Sequence, residues 1–191
     1  MFAFGIGLAI LVVVLLGIIS VVTYGVGIYN SLVQVRNNVD KTFNNIDVIL
    51  QQRHDELPKL VDTCKSYMKY EKEMLDNLIR LREHYGQVNT PEEKTKIENE
   101  IGKQLLLLTA RMEAYPDLKA NKNFTQIQDR ISALESTIAD RRELFNDSVN
   151  IYNIQIERFP HVILARMLNY VRRAFLEIPL EKKEDVEMDF S

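Results

Sequence analysis

SLVQVRNNVDKTFNNIDVIL, residues 31–50, is the stretch that decides the fold. Its apolar residues Leu32, Val35, Val39, Phe43, Ile46 and Leu50 recur at steps of 3, 4, 4, 3 and 4, which lines them along one face of an α-helix. Nothing between Ile28 and Leu32 breaks a helix, so the stripe continues backwards into Phe2–Ile28, which is nearly all apolar. No charged side chain occurs from Met1 to Gln34; the first is Arg36. Phe2–Ile28 as a helix measures about 40 Å, more than the ~30 Å of a bilayer's hydrocarbon core. A helix from Phe2 to Arg53 would measure roughly 78 Å. Beyond Arg53, Asp55 reads as the N-cap of a second helix with Pro58 in its first turn. One helix kinked at Pro58 is the competing reading.

A cleaved signal peptide needs a basic leader, a shorter apolar core and a small-x-small cleavage site. Here no Lys or Arg precedes the core, the core is too long and Thr23-Tyr24-Gly25 is a poor site, so a retained anchor is expected. Only the α-amino group precedes it, whereas Arg36 and Lys41 follow closely. That charge bias places the N-terminus outside and the large C-terminal part in the cytoplasm. One unpaired Cys64 fits a reducing compartment. Ala3, Gly5, Gly7 and Ala9 have the small-residue spacing that lets membrane helices pack closely.

Composition narrows the function. The chain has 191 residues, 46% hydrophobic and 27% charged, with net charge −3, one Cys and no Trp. That is enough for one domain with appendages. The charge balance argues against a basic nucleic-acid binder, and the lone cysteine against a disulfide framework or a Cys-rich zinc site. Five of the seven glycines lie in the first 28 residues, leaving Gly86 and Gly102 for the rest. So few glycines cannot supply phosphate-cradling loops or a series of tight β-turns.

Three further helices are expected. The second carries Leu57, Val61, Cys64, Met68, Leu75 and Leu78 and ends at Tyr85-Gly86. Thr90-Pro91-Glu92-Glu93 has the order of a capping box and starts the third, with Ile97, Ile101, Leu105, Leu108, Met112 and Tyr115 on its stripe and Pro116 as its stop. The fourth spans about Ala120 to Arg158, and Ile131, Ile138, Phe145 and Tyr152 recur every seven residues as a coiled-coil-like seam. No segment alternates with period two long enough for a sheet. The expected fold is all-α: an N-terminal transmembrane helix continuing into an up-and-down four-helix bundle with long helices. The fourth helix is longer than its neighbours, so either it bends or one end projects beyond the bundle, and a projecting apolar seam would call for self-association or a partner helix.

The expected organisation is an anchor over 1–28, a bundle over 29–160, a short amphipathic segment over 161–179 and an acidic tail over 180–191, disordered by composition. The segment His161–Ile178 carries Ile163, Met167, Val171 and Phe175 with Arg166, Arg172, Arg173 and Glu177. It reads either as a short fifth helix capping the bundle or as a basic amphipathic segment on anionic lipid.

The residues three before His54, His84 and His161 are Gln51, Leu81 and Arg158, so no Glu-x-x-His pair exists to build a di-iron bundle. The chain has no His-Glu-x-x-His helix, nucleophile elbow or phosphate loop. Cys64 falls on an apolar stripe, the place of a buried structural thiol. Arg53-His54-Asp55-Glu56 reads as a solvated turn with local capping, a small-ligand or metal locus being the alternative. Arg141 and Arg142 read as solvent-facing or paired with Glu135 and Glu143. Tyr29-Asn30 and Tyr152-Asn153 read as packing-specificity residues in helical seams, with recognition as the alternative.

The wording of these segments adds a further clue. Tyr29-Asn30-Ser31-Leu32-Val33, Arg36-Asn37-x-Val39, Ile46-Asp47-Val48 and Arg53-His54-Asp55-Glu56-Leu57-Pro58-Lys59-Leu60-Val61 resemble the LemA family. The likeness resumes at Leu118-Lys119-Ala120-Asn121-Lys122-Asn123-Phe124, Glu135-Ser136-x-Ile138-Ala139-x-Arg141 and Tyr152-Asn153 through Phe159-Pro160. Three positions depart from the family pattern: Phe43 stands for a usual Trp, Ser66-Tyr67 for Gly-Tyr, and Leu168-Asn169-Tyr170 for an aromatic-Gly-aromatic run. The resemblance implies a bacterial, singly anchored membrane protein with a four-helix soluble domain, its short N-terminus outside. It carries no established enzymatic activity, and some members are tied to magnetosome formation or cell-envelope upkeep.

The expectation is therefore a non-enzymatic, self-associating membrane scaffold without cofactor, nucleic acid or identified small-molecule substrate. Its partners are the bilayer, further copies of itself and other membrane proteins. A membrane-shaping or envelope-stress protein forming large oligomers, and metal or small-ligand binding at residues 53–56, are the alternatives. The candidate interaction and packing residues are Tyr29, Asn30, Arg36, Asn37, Asp47, Arg53, Pro58, Asn121, Phe124, Tyr152, Asn153, Phe159 and Pro160.

Overall fold

The computed structural model describes residues 2–88 and 90–176; Pro179 and the acidic tail lie outside the described residues. The elements are α1 (Phe2–Lys65), α2 (Lys72–Tyr85), α3 (Pro91–Met112), α4 (Pro116–Lys119), α5 (Lys122–Glu157) and α6 (His161–Met167). No strand occurs among the described residues, and the fold is all-α. Two compact units divide it: an anchor unit, Met1–Thr42 with Phe145–Phe175, and a bundle unit, Phe43–Leu144 with Leu176–Ser191.

In the anchor unit the end of α5 runs antiparallel to α1. Asn38 Nδ2 donates to Ser148 Oγ at 3.3 Å and Gln155 Nε2 to Ser31 Oγ at 2.8 Å, a displacement of seven residues on each helix. Leu32, Val39, Phe145, Val149, Tyr152 and Ile156 are buried. Further towards the N-terminus the side chains from Ile10 to Val26 stay uncovered. An 18-residue window there has mean hydropathy 2.6 and no buried residue, so this helix is long and apolar enough to cross a membrane.

In the bundle unit, α1, α2, α3 and α5 pack up-and-down around Ile46, Leu50, Leu57, Leu78, Ile101, Leu108 and Ile131. Thr90 caps α3 through the expected box: its Oγ accepts from the Glu93 N–H at 3.3 Å and donates to the Glu93 carboxylate at 2.7 Å. Asn121 caps α5, its Oδ1 accepting from the N–H groups of Asn123 (2.9 Å) and Phe124 (3.2 Å).

The structure corrects four expectations. α1 does not end at Arg53; it runs through Pro58 to Lys65, and Asp55 is an interior residue held by Gln51 at 3.2 Å, not an N-cap. A proline there removes the N–H that would bond the carbonyl four residues earlier, that of His54. Arg82 Nε from α2 donates to that His54 oxygen at 2.8 Å. The orphaned acceptor is thus satisfied from outside the helix, which lets the helix pass the proline. The second helix accordingly starts only at Lys72, after a turn that buries Met68.

The seam of the fourth helix does not project uncovered either, since Ile131, Ile138, Phe145 and Tyr152 are all at most 6% exposed within the chain. Finally, the C-terminal helix stops at Met167 instead of reaching Ile178. Asn169 adopts φ 55°, and the backbone from Tyr170 to Leu176 is non-helical. Asparagine tolerates that left-handed region better than other side-chain-bearing residues. It stands where the family pattern has glycine.

Candidate functional site

The densest polar constellation lies in the bundle unit, and its placement follows from helical spacing. Ile46, Leu50, Arg53, Leu57, Leu60 and Cys64 step by 4, 3, 4, 3 and 4, so Arg53 occupies a position on the buried stripe of α1. Glu98 precedes Ile101, Leu105 and Leu108 in the same way on α3, and Arg142 lies between Ile138 and Phe145 on α5. Arg53, Glu98 and Arg142 are all buried, Arg53 to 1% exposure.

Arg53 reaches the carboxylates of Glu98 on α3 and Glu135 on α5 through its two terminal nitrogens, while its Nε, also buried, has no hydrogen-bond partner. His54 Nε2 meets the other Glu98 oxygen at 2.6 Å, and the imidazole stands edge-on to Tyr85 with ring centroids 4.4 Å apart. Burial and the neighbouring Arg53 lower the His54 pKa from 6.5 to about 4, so at neutral pH it is the neutral donor to Glu98. Tyr85 donates to Asp47 at 3.2 Å, and Lys94 lies 5.1 Å over its ring. Burial, reinforced by Asp47, pushes that phenol up to about 12. Arg142 Nη1 donates to Asn99 at 3.2 Å. Burial, with Arg53 nearby, lowers its pKa. Glu56 is buried and is paired by Lys59 at 3.1 Å and Arg130 at 3.2 Å.

Arg53, His54 and Glu56 therefore do not form a solvated turn. They sit inside a continuous helix and link it to α2, α3 and α5. Arg141 is exposed as expected, whereas Arg142 does not face solvent: it is buried, donates to Asn99 and has the expected Glu135 as a nearby charge. Cys64 matches its expectation as a buried structural thiol, fully enclosed and pushed by burial up to about 12. That keeps it a thiol rather than a thiolate nucleophile. Among the described residues no three His, Cys, Asp or Glu side chains cluster as a metal centre would require.

A second constellation belongs to the anchor unit. Asn153 Oδ1 accepts the Arg173 N–H at 2.9 Å and its Nδ2 donates to the Arg173 carbonyl at 3.0 Å, so one amide side chain holds both backbone polar groups of one residue. Tyr152 donates to the Val171 carbonyl at 3.0 Å. Arg173 pairs with Asp40 at 2.7 Å and lies 5.8 Å over the Tyr152 ring, while Arg36 lies 5.6 Å over Tyr170. The non-helical segment 170–173 is thereby strapped to α5 and α1.

The sequence-derived residues thus fall into two groups and a remainder. Asp47, Arg53 and Pro58 surround the buried network; Arg36, Tyr152 and Asn153 make the strap. Asn121 is a cap and Phe124 a core residue at 1% exposure. Tyr29, Asn30 and Asn37 are exposed, Phe159 is 78% exposed, and the Phe159-Pro160 peptide is cis. The sequence reading missed Glu98, Arg82, Tyr85, Arg173 and Asp40. For Glu98 a signal existed: an acid in line with an apolar stripe.

A lipid-length apolar helix that continues into an ion-paired helical bundle defines a membrane-associated all-α protein. The LemA family model matches residues 42–190, and the chain belongs to the LemA family. Protein LemA of Metamycoplasma hominis is 24% identical over 163 residues, which cover 85% of this chain and 74% of that protein. Magnetosome proteins MamQ 2 and MamQ 1 of Paramagnetospirillum magneticum are each 22% identical over 195 residues, covering 88% of this chain and 72% of theirs. The family is not known for enzymatic activity.

Proposed function

We propose that the protein is a non-enzymatic membrane-anchored scaffold, with its bundle on the cytoplasmic side, that self-associates to organise the cell envelope or an intracellular membrane. The observation that carries this reading is α1 itself. One uninterrupted helix bears both the uncovered apolar stretch and Arg53, the centre of the buried network, so the tether and a structural member of the bundle are the same element. The chemistry found in the bundle is spent on packing: its cysteine is a protonated thiol, and its buried arginine and glutamate neutralise one another. Leu106 and Leu107, 53% and 51% exposed on α3, provide an apolar surface for contact between copies. Arg36 and Lys41 just after the anchor support the cytoplasmic orientation.

Chemical crosslinking in native membranes, read by mass spectrometry, tests this. Crosslinks between copies through α3 are expected; exclusively intrachain crosslinks would overturn self-association. The magnetosome proteins among its relatives favour a second reading, membrane shaping. A large closed particle after detergent extraction would select it over a small oligomer.

A further inference from the structure

In the anchor unit, the hydrogen bonds Asn38–Ser148 and Ser31–Gln155 fix the register of α5 against α1. Each step along α5 towards its C-terminus is a step along α1 towards the anchor. Glu157, the last residue of α5, is therefore about level with Tyr29, inside the uncharged stretch, and Phe159 lies two residues beyond it. Seven residues of helix separate that level from Arg36, roughly 10 Å towards the bilayer. The strap then climbs back, Tyr170 to the level of Arg36 and Arg173 to that of Asp40. Between these two points lies α6.

The chain leaves apolar side chains uncovered at just this place. Phe159, Ile163 and Met167, spaced by four, are 78%, 55% and 72% exposed. Arg158, Arg166 and Arg172 are also exposed, against one acid, Glu157, which Arg172 pairs at 2.8 Å. Apolar side chains flanked by arginines at the end of α5, beside the membrane-length helix α1, match the chemistry of the interfacial layer: acyl chains meet the apolar side chains and lipid phosphates meet the guanidinium groups. We propose that Phe159 and α6 form a foot that rests in the headgroup layer of the same bilayer α1 crosses, fixing how close the anchor unit stands to the membrane. This rests on α1 being a membrane anchor but not on self-association.

The test is site-directed spin labelling of the full chain reconstituted in phosphatidylcholine vesicles containing a minority of phosphatidylglycerol. Single cysteines replace Ile163, Met167, Val13 in the anchor, and Ser136 on α5 as an exposed reference. The parent chain serves as background, because its Cys64 is enclosed and protonated. Collisions with oxygen report lipid, and collisions with a water-soluble nickel chelate report water. The expected result is an oxygen-to-nickel ratio at 163 and 167 several-fold above that at 136 and below that at 13. Ratios at 163 and 167 equal to that at 136, with Val13 still in lipid, would overturn the foot while leaving the anchor intact. Shielding of 163 and 167 from both reagents, with dipolar broadening between labels, would also overturn it and assign the face to a second copy. A water-like ratio at Val13 would overturn the anchor itself.

Discussion

The bundle unit and the anchor unit both use polar side chains across α1 and α5, but in opposite ways. In the bundle the central tie is a pair of full charges taken out of water, Arg53 and Glu98, with the partly exposed Glu135 on the other arm of Arg53 and the neutral His54 on the far side of Glu98. In the anchor unit the principal tie is a neutral amide, Asn153, holding the backbone N–H and C=O of Arg173, and its ion pairs are partly exposed. Buried charges make single deletions costly, because each leaves its partner desolvated and unpaired. Neutral hydrogen bonds, even from a buried amide such as Asn153, leave no unpaired charge when deleted, and water replaces part of the exposed ion pairs beside them. The bundle should therefore fail abruptly, whereas the strap should release by degrees.

The largest expected effect breaks the comparison on the bundle side. Arg53→Ala leaves the buried Glu98 carboxylate without a cationic partner, with only the neutral His54 donating to it, and should destabilise the full chain in detergent by about 3–5 kcal/mol, read by urea unfolding with helical circular dichroism. Replacing Arg53 by Met and Glu98 by Leu together should recover most of that loss. A double variant as unstable as Arg53→Ala would mean that the ion pair is worth more than its packing volume.

Acid should expose the same difference. His54 titrates near 4 when folded and near 6.5 when unfolded, because burial and Arg53 disfavour its charged form. The unfolded chain therefore binds a proton that the folded site refuses. Its contribution is complete above pH 6.5 and is lost as the pH falls from 6.5 to 4, by at most about 3 kcal/mol. His54→Gln should flatten stability across that window. A pH dependence unchanged by that variant would assign the loss to other groups.

On the anchor side, Asn153→Ala removes two hydrogen bonds to Arg173 and should cost about 2 kcal/mol. The readout that separates it from a bundle defect is limited proteolysis: cleavage near residues 170–175 should accelerate while the bundle stays protected.

How far the sequence announced these two regions depends on one kind of signal. Helical periodicity revealed the all-α fold, the anchor, the capping box at Thr90 and the core face of α5, because apolar spacing and capping are local. At Pro58 it leaves a break and one helix running through the proline both open, and the second is found, because the guanidinium that satisfies the His54 carbonyl comes from α2. A break makes Arg53 and His54 a turn, although both flanks of Arg53 keep the 3–4 spacing of a buried stripe. Tyr152-Asn153 stood out as a pair, yet their partners, the Val171 and Arg173 backbone, carry no side-chain signature. Nor did the segment announce that it would leave the helix at Asn169.

The proline can be tested as a two-part cycle within the bundle. Arg82→Ala should cost about 1–3 kcal/mol, because the His54 carbonyl then has neither an N–H from residue 58 nor the guanidinium. In a Pro58→Ala background the helix supplies its own N–H, and the same Arg82→Ala change should cost markedly less. Equal costs in the two backgrounds would show that Arg82 acts through something other than that carbonyl.

The smallest effect returns to the strap. Asn169 holds φ 55°, a conformation that costs a side-chain-bearing residue more than it costs glycine, though asparagine less than most. Asn169→Gly, the residue of the family pattern, removes that strain but adds backbone entropy to the unfolded chain, so the two terms oppose each other. Its net effect should lie within about 0.5 kcal/mol of zero, and Asn169→Val should destabilise by roughly 1–2 kcal/mol. Because the reversal at residue 169 directs the chain from α6 back towards Asn153, the valine variant should also raise proteolysis of the strap, as Asn153→Ala does. Strap protection that survives valine at 169 would show that the Asn153 grip alone determines the path of the segment.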